Sequence, residues 1–383
     1  MTILHYISDI NGSNTITDAV LRMLLATSKV MDVHLLTSSP LRDGLAAELT
    51  ERYGIKTHLA ELSEGNNPLR YIEYNKYVRT RIEECHPHIV HVHGSWDVKA
   101  AIVQRCARKM KLVTIVSPHR GLSPEIIDID FWKSRLWKML LYQIQMISRC
   151  TAVAAMNDKE REDVLGLGLK KRIEVMPAMT GQNSGELCAA LTETYRKALD
   201  SSYRLFLLDD ETKFLEATVR TAIADEDVKT EIPSLNGLSF RRISFLAFDE
   251  DATEIMKRGA EKAGMYLPQE IDVANLPRYK NKHAKALRSL EEMSKTINVN
   301  HIPEEQREER RAVQMIVQAW TMGKKRMTLR NWTELYDLFR NRDFNEDIVG
   351  NELRHRRLKR FTKRIQKDLK SRFALKEGYV IFQ

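Results

Sequence analysis

The residues best suited to chemistry lie in two polar clusters, each directly after a short β-branched run. His93 and Trp96 follow the first run, and His119 and Arg120 follow the second. An imidazole can exchange protons near neutral pH, a guanidinium pairs with phosphate or carboxylate, and an indole stacks on a sugar ring. The sequence therefore predicts a polar ligand site built from these four side chains.

The elements around the two clusters predict where they lie. The apolar runs 88–92 and 112–116 are short and bounded by turn residues, which is typical of buried parallel strands. In open α/β sheets, ligands bind beyond the carboxyl ends of the strands. Both clusters are expected at that edge.

Each of the four side chains also has a plain structural alternative. His119 is predicted to lie near the reacting centre and to be the catalytic residue, although it could instead anchor a loop. His93 is expected to line the same cleft or to be structural. Arg120 could be a solvated surface residue, and Trp96 could pack in the core rather than bind substrate.

A third candidate binding element is the loop Asn11-Gly12-Ser13, between a first strand at 2–8 and a helix at about 16–30. Thr15, with Asp18 three residues later, resembles a capping box at the start of this helix. Free backbone N–H groups at a helix N-terminus favour an anion such as phosphate. A single glycine is equally compatible with an ordinary strand–helix turn.

Four histidines lie within eight residues and could together bind a metal ion, namely His86, His88, His91 and His93. The ends of a five-residue strand are about 15 Å apart, so shared coordination is disfavoured. His91 is expected on the opposite face of the strand from His93, in a structural role. The prediction is no metal site and no cofactor.

The order of the elements predicts an α/β protein with a helical C-terminal region. Predicted strands at 2–8, 32–37, 55–60, 88–92, 112–116, 151–156 and 172–176 alternate with helices, which indicates a doubly wound, mostly parallel Rossmann-like sheet. Residues 1–182 are predicted as this domain, and residues 183–383 as a mainly α-helical domain. One isolated strand is predicted at 241–248, and a linker at 182–185.

The C-terminal segment carries most of the positive charge. The chain has a net charge of +9, and residues 351–383 contribute +8 of it, from eleven Lys or Arg and three Asp or Glu. Apolar residues recur there at helical spacing, which predicts a basic amphipathic helix over about 351–373. The predicted membrane or partner surface comprises Arg356, Arg357, Lys359, Arg360, Lys363, Arg364 and Lys367. Alternatively the apolar stripe packs back on the protein. A nucleic-acid partner is disfavoured, because no recognition motif is present.

A second segment, 131–138, interleaves Trp132 and Trp137 with lysine and arginine, which suits a membrane interface near the cleft. Core packing explains half of this pattern as well. The N-terminus has no cationic and apolar signal segment, and the four cysteines form no CxxC pair. A cytoplasmic, membrane-peripheral location is therefore the expectation.

Four stretches in order, 90–96, 116–124, 152–162 and 173–177, resemble family 4 glycosyltransferases of the GT-B fold. The resemblance covers roughly residues 1–180 and corresponds to that family's N-terminal, acceptor-side domain. It implies that Asn11-Gly12-Ser13 faces the donor phosphates and that His119 and His93 line the cleft. The C-terminal half differs from the family's donor domain, because no two glutamates after residue 182 are separated by seven residues.

The resemblance implies a metal-independent enzyme that moves a sugar from a nucleotide sugar to a polysaccharide or glycolipid hydroxyl. The alternative is a non-catalytic scaffold derived from a glycosyltransferase, which binds a partner protein or a membrane through its helical half.

Overall fold

The computed structural model describes residues 1–12, 14–65, 67–170, 172–176, 184–225, 230–269, 272–279, 289–341, 343–379 and 381–382. The chain divides into two compact units. The first comprises Met1–Leu205 and Pro277–Tyr279, and the second comprises Phe206–Leu276 and Lys280–Gln383. The predicted boundary at residue 182 differs from this division, because the helix Ser184–Ser201 belongs to the first unit.

The first unit is built on a parallel sheet, which confirms the predicted fold class. Its seven strands are β1 (Thr2–Ile7), β2 (Asp32–Thr37), β3 (Lys56–Leu59), β4 (Ile89–His93), β5 (Val113–Ser117), β6 (Ala152–Ala155) and β7 (Ile173–Val175). The strand order is β3-β2-β1-β4-β5-β6-β7, and every pairing is parallel.

Helices connect these strands as the alternating pattern predicts. They are α1 (Thr15–Thr27), α2 (Leu45–Tyr53), α3 (Arg70–Cys85), α4 (Val98–Lys109), α5 (Pro124–Asp128), α6 (Leu136–Lys138), α7 (Ile144–Arg149), α8 (Asp158–Gly166) and α9 (Ser184–Ser201). The segments Phe131–Arg135 and Met139–Gln143, on either side of α6, have π-helical turns. The predicted helix at 131–148 is therefore present but irregular.

The two faces of the sheet differ in chemistry. One face is apolar and includes Leu4, Val90 and Val116, which belong to one buried hydrophobic cluster with residues of α3, α4 and α7. The opposite face carries His5 and His91 in register on β1 and β4, and Tyr195 of α9 lies against both rings. A strand face that should be apolar thus holds polar side chains, which need internal partners.

Every regular element that the structure describes in the second unit is helical. The α-helices are α10 (Asp209–Ile223), α11 (Phe240–Asp249), α12 (Thr253–Lys262), α13 (Leu290–Ser294), α14 (Arg307–Met322), α15 (Leu329–Asn341), α16 (Glu346–His355) and α17 (Lys359–Phe373). Gly259 is required where α12 crosses α10, because a Cβ there would lie 1.8 Å from the carbonyl oxygen of Thr218.

The predicted strand at 241–248 is wrong, since these residues lie in α11. Ser239 caps this helix by accepting a hydrogen bond from the backbone N–H of Arg242, and Ile243 and Phe245 are buried. A short apolar run has no periodicity that separates a buried strand from a buried helix.

The predicted single helix over 351–373 is also corrected. The helix is interrupted between α16 and α17, where Arg357 adopts a left-handed backbone conformation with a φ of 59°. The apolar stripe of this segment, including Leu358, Ile365 and Leu369, is buried in the second unit. The basic face stays exposed, but most of the apolar stripe is used in packing within the second unit and is not free to insert into a membrane.

Candidate active site at the carboxyl edge of the sheet

The strand order predicts a ligand crevice between β1 and β4. The order reverses there, because the chain moves outward from β1 to β3 on one side and from β4 to β7 on the other. Ligands of open α/β sheets bind at such a switch point, beyond the carboxyl ends of the strands. The loop after β1 and the cluster after β4 are therefore expected to flank one crevice, with the cluster after β5 next to it.

The predicted binding residue Asn11 holds the loop after β1 in shape. Its Nδ2 donates to the carboxylate of Asp9 at 3.0 Å and to the carbonyl of Pro40 at 2.7 Å, and its Oδ1 accepts from the backbone N–H of Arg42 at 2.7 Å. The amide is thus occupied by the protein. In this structure the Asn11 side chain therefore anchors the loop.

The start of α1 differs from the predicted capping box. Asn14, rather than Thr15, is the cap, and its Oδ1 accepts from the backbone N–H groups of Ile16 and Thr17 at 3.0 Å each. Gly12, in the same loop, is exposed. The predicted residue Ser13 lies outside the described residues.

His119, His93 and His5 form a hydrogen-bonded row of imidazoles. Nε2 of His119 lies 3.0 Å from Nδ1 of His93, and Nε2 of His93 lies 2.9 Å from Nδ1 of His5. The row runs from the loop after β5 through the end of β4 to the middle of β1. The structure thus brings together the two histidines that the sequence singled out and adds a third.

His91 lies on the same face of β4 as His93, so its predicted orientation is wrong. Side chains two residues apart in a strand share a face, and the two ring centroids are 4.2 Å apart. His91 is fully buried, with Nδ1 2.8 Å from the hydroxyl of Tyr195 and Nε2 2.9 Å from the hydroxyl of Ser117. Both of its nitrogens are therefore used, in agreement with a structural role.

Burial keeps these imidazoles neutral. It lowers the pKa of His119 to about 4 and that of His5 to about 3. The pKa values of His91 and His93 also lie well below the usual range, first because of burial and then because of the neighbouring histidines. Nε2 of His5 has no hydrogen-bond partner although it is buried. A neutral His119 can donate or accept a hydrogen bond at the crevice, but it resists becoming an imidazolium.

The turn that carries His119 is strained and is held by a buried glutamate. His119 and Arg120 have φ angles of 52° and 61°, a conformation that non-glycine side chains rarely adopt. The carboxylate of Glu160 accepts from the backbone N–H of Arg120 at 2.6 Å and from that of Met156 at 2.7 Å. Glu160 therefore fixes the backbone next to His119. The side chain of Arg120 itself is exposed.

Trp96 links the loops after β4 and β5. Its indole N–H donates to the carbonyl of Gly121, its backbone N–H donates to Oε1 of Gln143 at 2.9 Å, and the guanidinium of Arg135 lies 4.9 Å from its ring. Gly121 has no room for a side chain, because a Cβ would lie 2.8 Å from that of Ser95. The ring is half-buried against the core, which agrees with the packing alternative.

We expect Glu160→Gln to lower the free energy of unfolding by about 2 kcal/mol, because a glutamine has one acceptor oxygen for the two backbone N–H groups that the carboxylate now binds. One of the backbone groups of Met156 and Arg120 would then face an amide –NH₂. Urea unfolding measures the loss. Glu162→Gln is the matched control, since Glu162 is exposed on the same helix. Equal stability of the two variants would contradict the role given to Glu160.

Among the described residues, two groups bring ligand-type atoms close together. One is His5, His91 and His93, and the other is His34, His58 and Cys85. Neither is the four-histidine cluster weighed from the sequence. His88 accepts from the backbone N–H of Thr2 at the opposite end of β4.

Sequence reasoning missed His5, Glu160 and Gln143. His5 becomes visible only when the strand order sets β1 beside β4. The one available signal for Glu160 was its spacing from Asn157, which caps α8 by accepting from the backbone N–H of Glu160 at 2.9 Å. Gln143 carried no signal in the sequence.

One protein-family model matches a segment that lies within the first unit. Residues 10–178 match the model of Glycosyltransferase Family 4. No curated protein matches the chain.

Three solved structures are similar to this chain at low sequence identity. Anabaena HepE, in complex with UDP and glucose, is 13% identical with a TM-score of 0.35, and the match covers 45% of this chain and 43% of that one. The Neisseria meningitidis UDP-GlcNAc 2-epimerase is 14% identical with a TM-score of 0.35, and the match covers 71% and 73%. A Siraitia grosvenorii UGT transferase is 7% identical with a TM-score of 0.30, and the match covers 67% and 72%.

The chain spans less than half the length of HepE. The parallel sheet, the polar clusters at its carboxyl edge and the match over residues 10–178 agree with one another. Residues 10–178 of this chain are similar to Glycosyltransferase Family 4.

Proposed function

We propose that this chain is a glycosyltransferase-type protein that moves a sugar from a nucleotide sugar to an acceptor hydroxyl beside His119. The observation that carries the proposal is the imidazole row His119–His93–His5 at the switch point of the sheet. His93 and His119 lie inside the region that matches the glycosyltransferase family, residues 10–178, and His5 lies just before it. Polysaccharide and glycolipid hydroxyls are the proposed acceptors.

The proposed role of His119 is to orient the acceptor hydroxyl by a hydrogen bond. Its hydrogen bond with His93 restricts the tautomer and ring orientation, and Glu160 holds the turn beneath it. Because burial lowers the pKa of His119 to about 4, positioning is favoured over full proton abstraction at neutral pH.

The donor phosphates are proposed to meet the loop after β1 and the N-terminus of α1. A helix of this length carries partial positive charge at its N-terminus, which favours an anion. The exposed Gly12 lets a phosphate approach the backbone closely. Arg120, exposed at the neighbouring loop, is the proposed charged partner of the donor.

A second candidate function is a non-catalytic scaffold. The observation that favours it is the composition of the second unit, whose described regular elements are all helices. The donor domain that the family resemblance implies would be a second parallel sheet. In this alternative the crevice binds a glycan without transferring a sugar, and the helical unit binds a partner.

Release of nucleoside diphosphate separates the two candidates. The full chain is incubated with a panel of nucleotide sugars, with and without glycan and lipid-linked acceptors. Acceptor-dependent release supports transfer. Acceptor binding without release for any donor supports the scaffold, and proteins that co-purify with the chain then identify its partner.

We also propose that the first unit docks on a membrane surface through residues 129–141. Apolar side chains there are exposed to solvent, with exposed fractions of 79% for Trp132, 61% for Trp137 and 70% for Leu141. Lys133 and Lys138 are exposed between them. Aromatic rings beside lysines suit the interface of an anionic bilayer, where a lipid-linked acceptor is presented. No helix among the described residues is long and apolar enough to cross a bilayer.

This proposal moves the membrane surface away from the basic tail. In α17 the cations Lys359, Arg360, Lys363, Arg364 and Lys367 are exposed, but the apolar stripe beneath them is buried. Arg356 is bound to Glu352 at 2.6 Å. The exposed cations of α17 can contribute only an electrostatic attraction that salt screens.

We expect the double substitution of Trp132→Ser and Trp137→Ser to weaken binding to phosphatidylglycerol vesicles about tenfold or more, because each buried aromatic contributes about 1.5–3 kcal/mol. Vesicle sedimentation measures the bound fraction. Lys363→Gln with Lys367→Gln is the control on α17, and its effect should vanish in high salt. Loss of binding in the control alone would overturn the assignment.

A further inference from the structure

Three side chains that could bind a metal ion meet beside the outermost strand β3, away from the candidate active site. His34 lies on β2, His58 on the edge strand β3, and Cys85 at the end of α3. Nδ1 of His34 lies 2.9 Å from Nε2 of His58, and Sγ of Cys85 lies 3.2 Å from the same nitrogen. These three residues are far apart in the chain, so no sequence motif indicates that they come together.

A neighbouring carboxylate orients the first of these ligands. Nε2 of His34 lies 3.3 Å from Oδ2 of Asp32, and the other oxygen of Asp32 accepts from Lys56 at 3.1 Å. The carboxylate accepts only, so Nε2 of His34 carries the hydrogen and Nδ1 presents its lone pair to the group. A carboxylate behind a histidine in this way is the usual outer support of a metal-bound imidazole.

We propose that His34, His58 and Cys85 bind a divalent late transition-metal ion, with Zn²⁺ as the first candidate. Two imidazoles and a thiolate are a ligand set that Zn²⁺ prefers, and three protein ligands leave a fourth position for water. Tetrahedral coordination needs the two nitrogens about 3.3 Å apart. The observed 2.9 Å separation therefore has to open by only a few tenths of an ångström.

Burial and charge at the group agree with this assignment. His34 and Cys85 are buried, and His58 is half-buried, which leaves one side open to an entering ion. Burial lowers the pKa values of both histidines, so their imidazoles are neutral at pH 7 and ready to bind a cation. The nearby cations are already paired, Lys56 with Asp32 and Arg81 with Glu84.

Binding releases one proton. Burial raises the pKa of Cys85 to about 12, so the free group is a thiol at neutral pH. When the S–H bond breaks, its electron pair stays on sulfur and forms the bond to the metal, while the proton leaves to solvent. The oxidation state of the metal does not change. The histidines release none, because they are already neutral.

The second group of ligand atoms, His5, His91 and His93, is a weaker candidate. Both nitrogens of His91 are hydrogen-bonded to the hydroxyl groups of Tyr195 and Ser117. All three side chains are almost completely buried. An ion would have to displace those partners and has no open side from which to enter.

The place of the proposed site in the fold suggests a structural role. β3 is the last strand at its edge of the sheet and pairs with a strand, β2, on one side. A metal bound to β2, β3 and the end of α3 would fasten this edge. Its occupancy should therefore raise the melting temperature of the protein, independently of any sugar-transfer activity.

The test is a zinc titration of the full chain, free of purification tags and stripped with a chelator. We expect one Zn²⁺ per chain, one proton released per ion in calorimetry across buffers of different ionisation enthalpy, and a higher melting temperature. With Co²⁺ in place of zinc, a thiolate-to-cobalt absorption band should appear. Asp32→Asn should weaken binding about tenfold or more.

Cys85→Ser and His58→Ala should each abolish stoichiometric binding, and Cys85→Ser should also abolish the cobalt band. Cys188→Ser and His86→Asn are matched controls that should leave both unchanged, and circular dichroism checks that each metal-free variant is folded. The proposal is overturned if no ion binds, if binding survives Cys85→Ser and His58→Ala, or if His5→Ala is the variant that abolishes it.

Discussion

His119→Ala is expected to lower the rate of sugar transfer by about a hundredfold or more, because it removes the side chain that we propose orients the acceptor hydroxyl. His119 is the member of the imidazole row that lies beyond the strand ends, where ligands of this fold bind. The measurement is acceptor-dependent release of nucleoside diphosphate. The fall should appear mainly in kcat/KM for the acceptor.

Two variants make this result specific. His119→Asn tolerates the left-handed backbone and keeps a polar side chain, so it should retain more activity than alanine does. His301→Ala removes an exposed histidine of the second unit and should leave the rate unchanged. If His119→Ala retains the full rate while His301→Ala behaves as expected, His119 has no role in transfer.

Mild acid is expected to destabilise the first unit strongly. Burial lowers the pKa values of four histidines below 6.5 in the folded protein, namely His5, His91, His93 and His119. In mild acid the unfolded chain therefore binds more protons than the folded chain does. Stability is then fully present above pH 6.5 and is lost as the pH falls towards the folded pKa values. Each of the four groups contributes about 1.4 kcal/mol per pH unit in this window.

Together the four groups should lower the free energy of unfolding by about 5 kcal/mol between about pH 6 and pH 5, comparable to the whole stability of many domains. Urea unfolding, followed by tryptophan fluorescence at a series of pH values, measures the slope. His5→Leu should reduce the slope by about one proton, whereas His355→Gln, an exposed position, should not change it. A stability that stays flat from pH 7 to pH 5 would contradict the neutral, buried row.

The sequence predicted the first unit well because its signals are local. Alternating apolar runs and helices gave all seven strands and their parallel sheet, and turn residues marked the strand ends. The errors have local causes too. Residues 241–248 are an apolar run too short to show a period, and the break at Arg357 depends on a single left-handed residue.

The candidate site was predictable only in part, because strand order is not a local property. His93 and His119 stood out as strand-end residues, and the structure joins them at 3.0 Å. His5 entered the row only because β1 lies beside β4, and the group of His34, His58 and Cys85 needed the register of three separate elements. The role of Glu160 depends on two backbone N–H groups that no side-chain pattern reveals.

The most direct test of the central claim is a calorimetric titration of the full chain with a panel of nucleotide sugars, with and without a glycan acceptor. A glycosyltransferase-type crevice at the carboxyl edge predicts saturable binding of at least one donor at millimolar concentration or below, strengthened by the acceptor and weakened by Arg120→Ala. Absence of binding for every donor at millimolar concentration would contradict transfer by this chain.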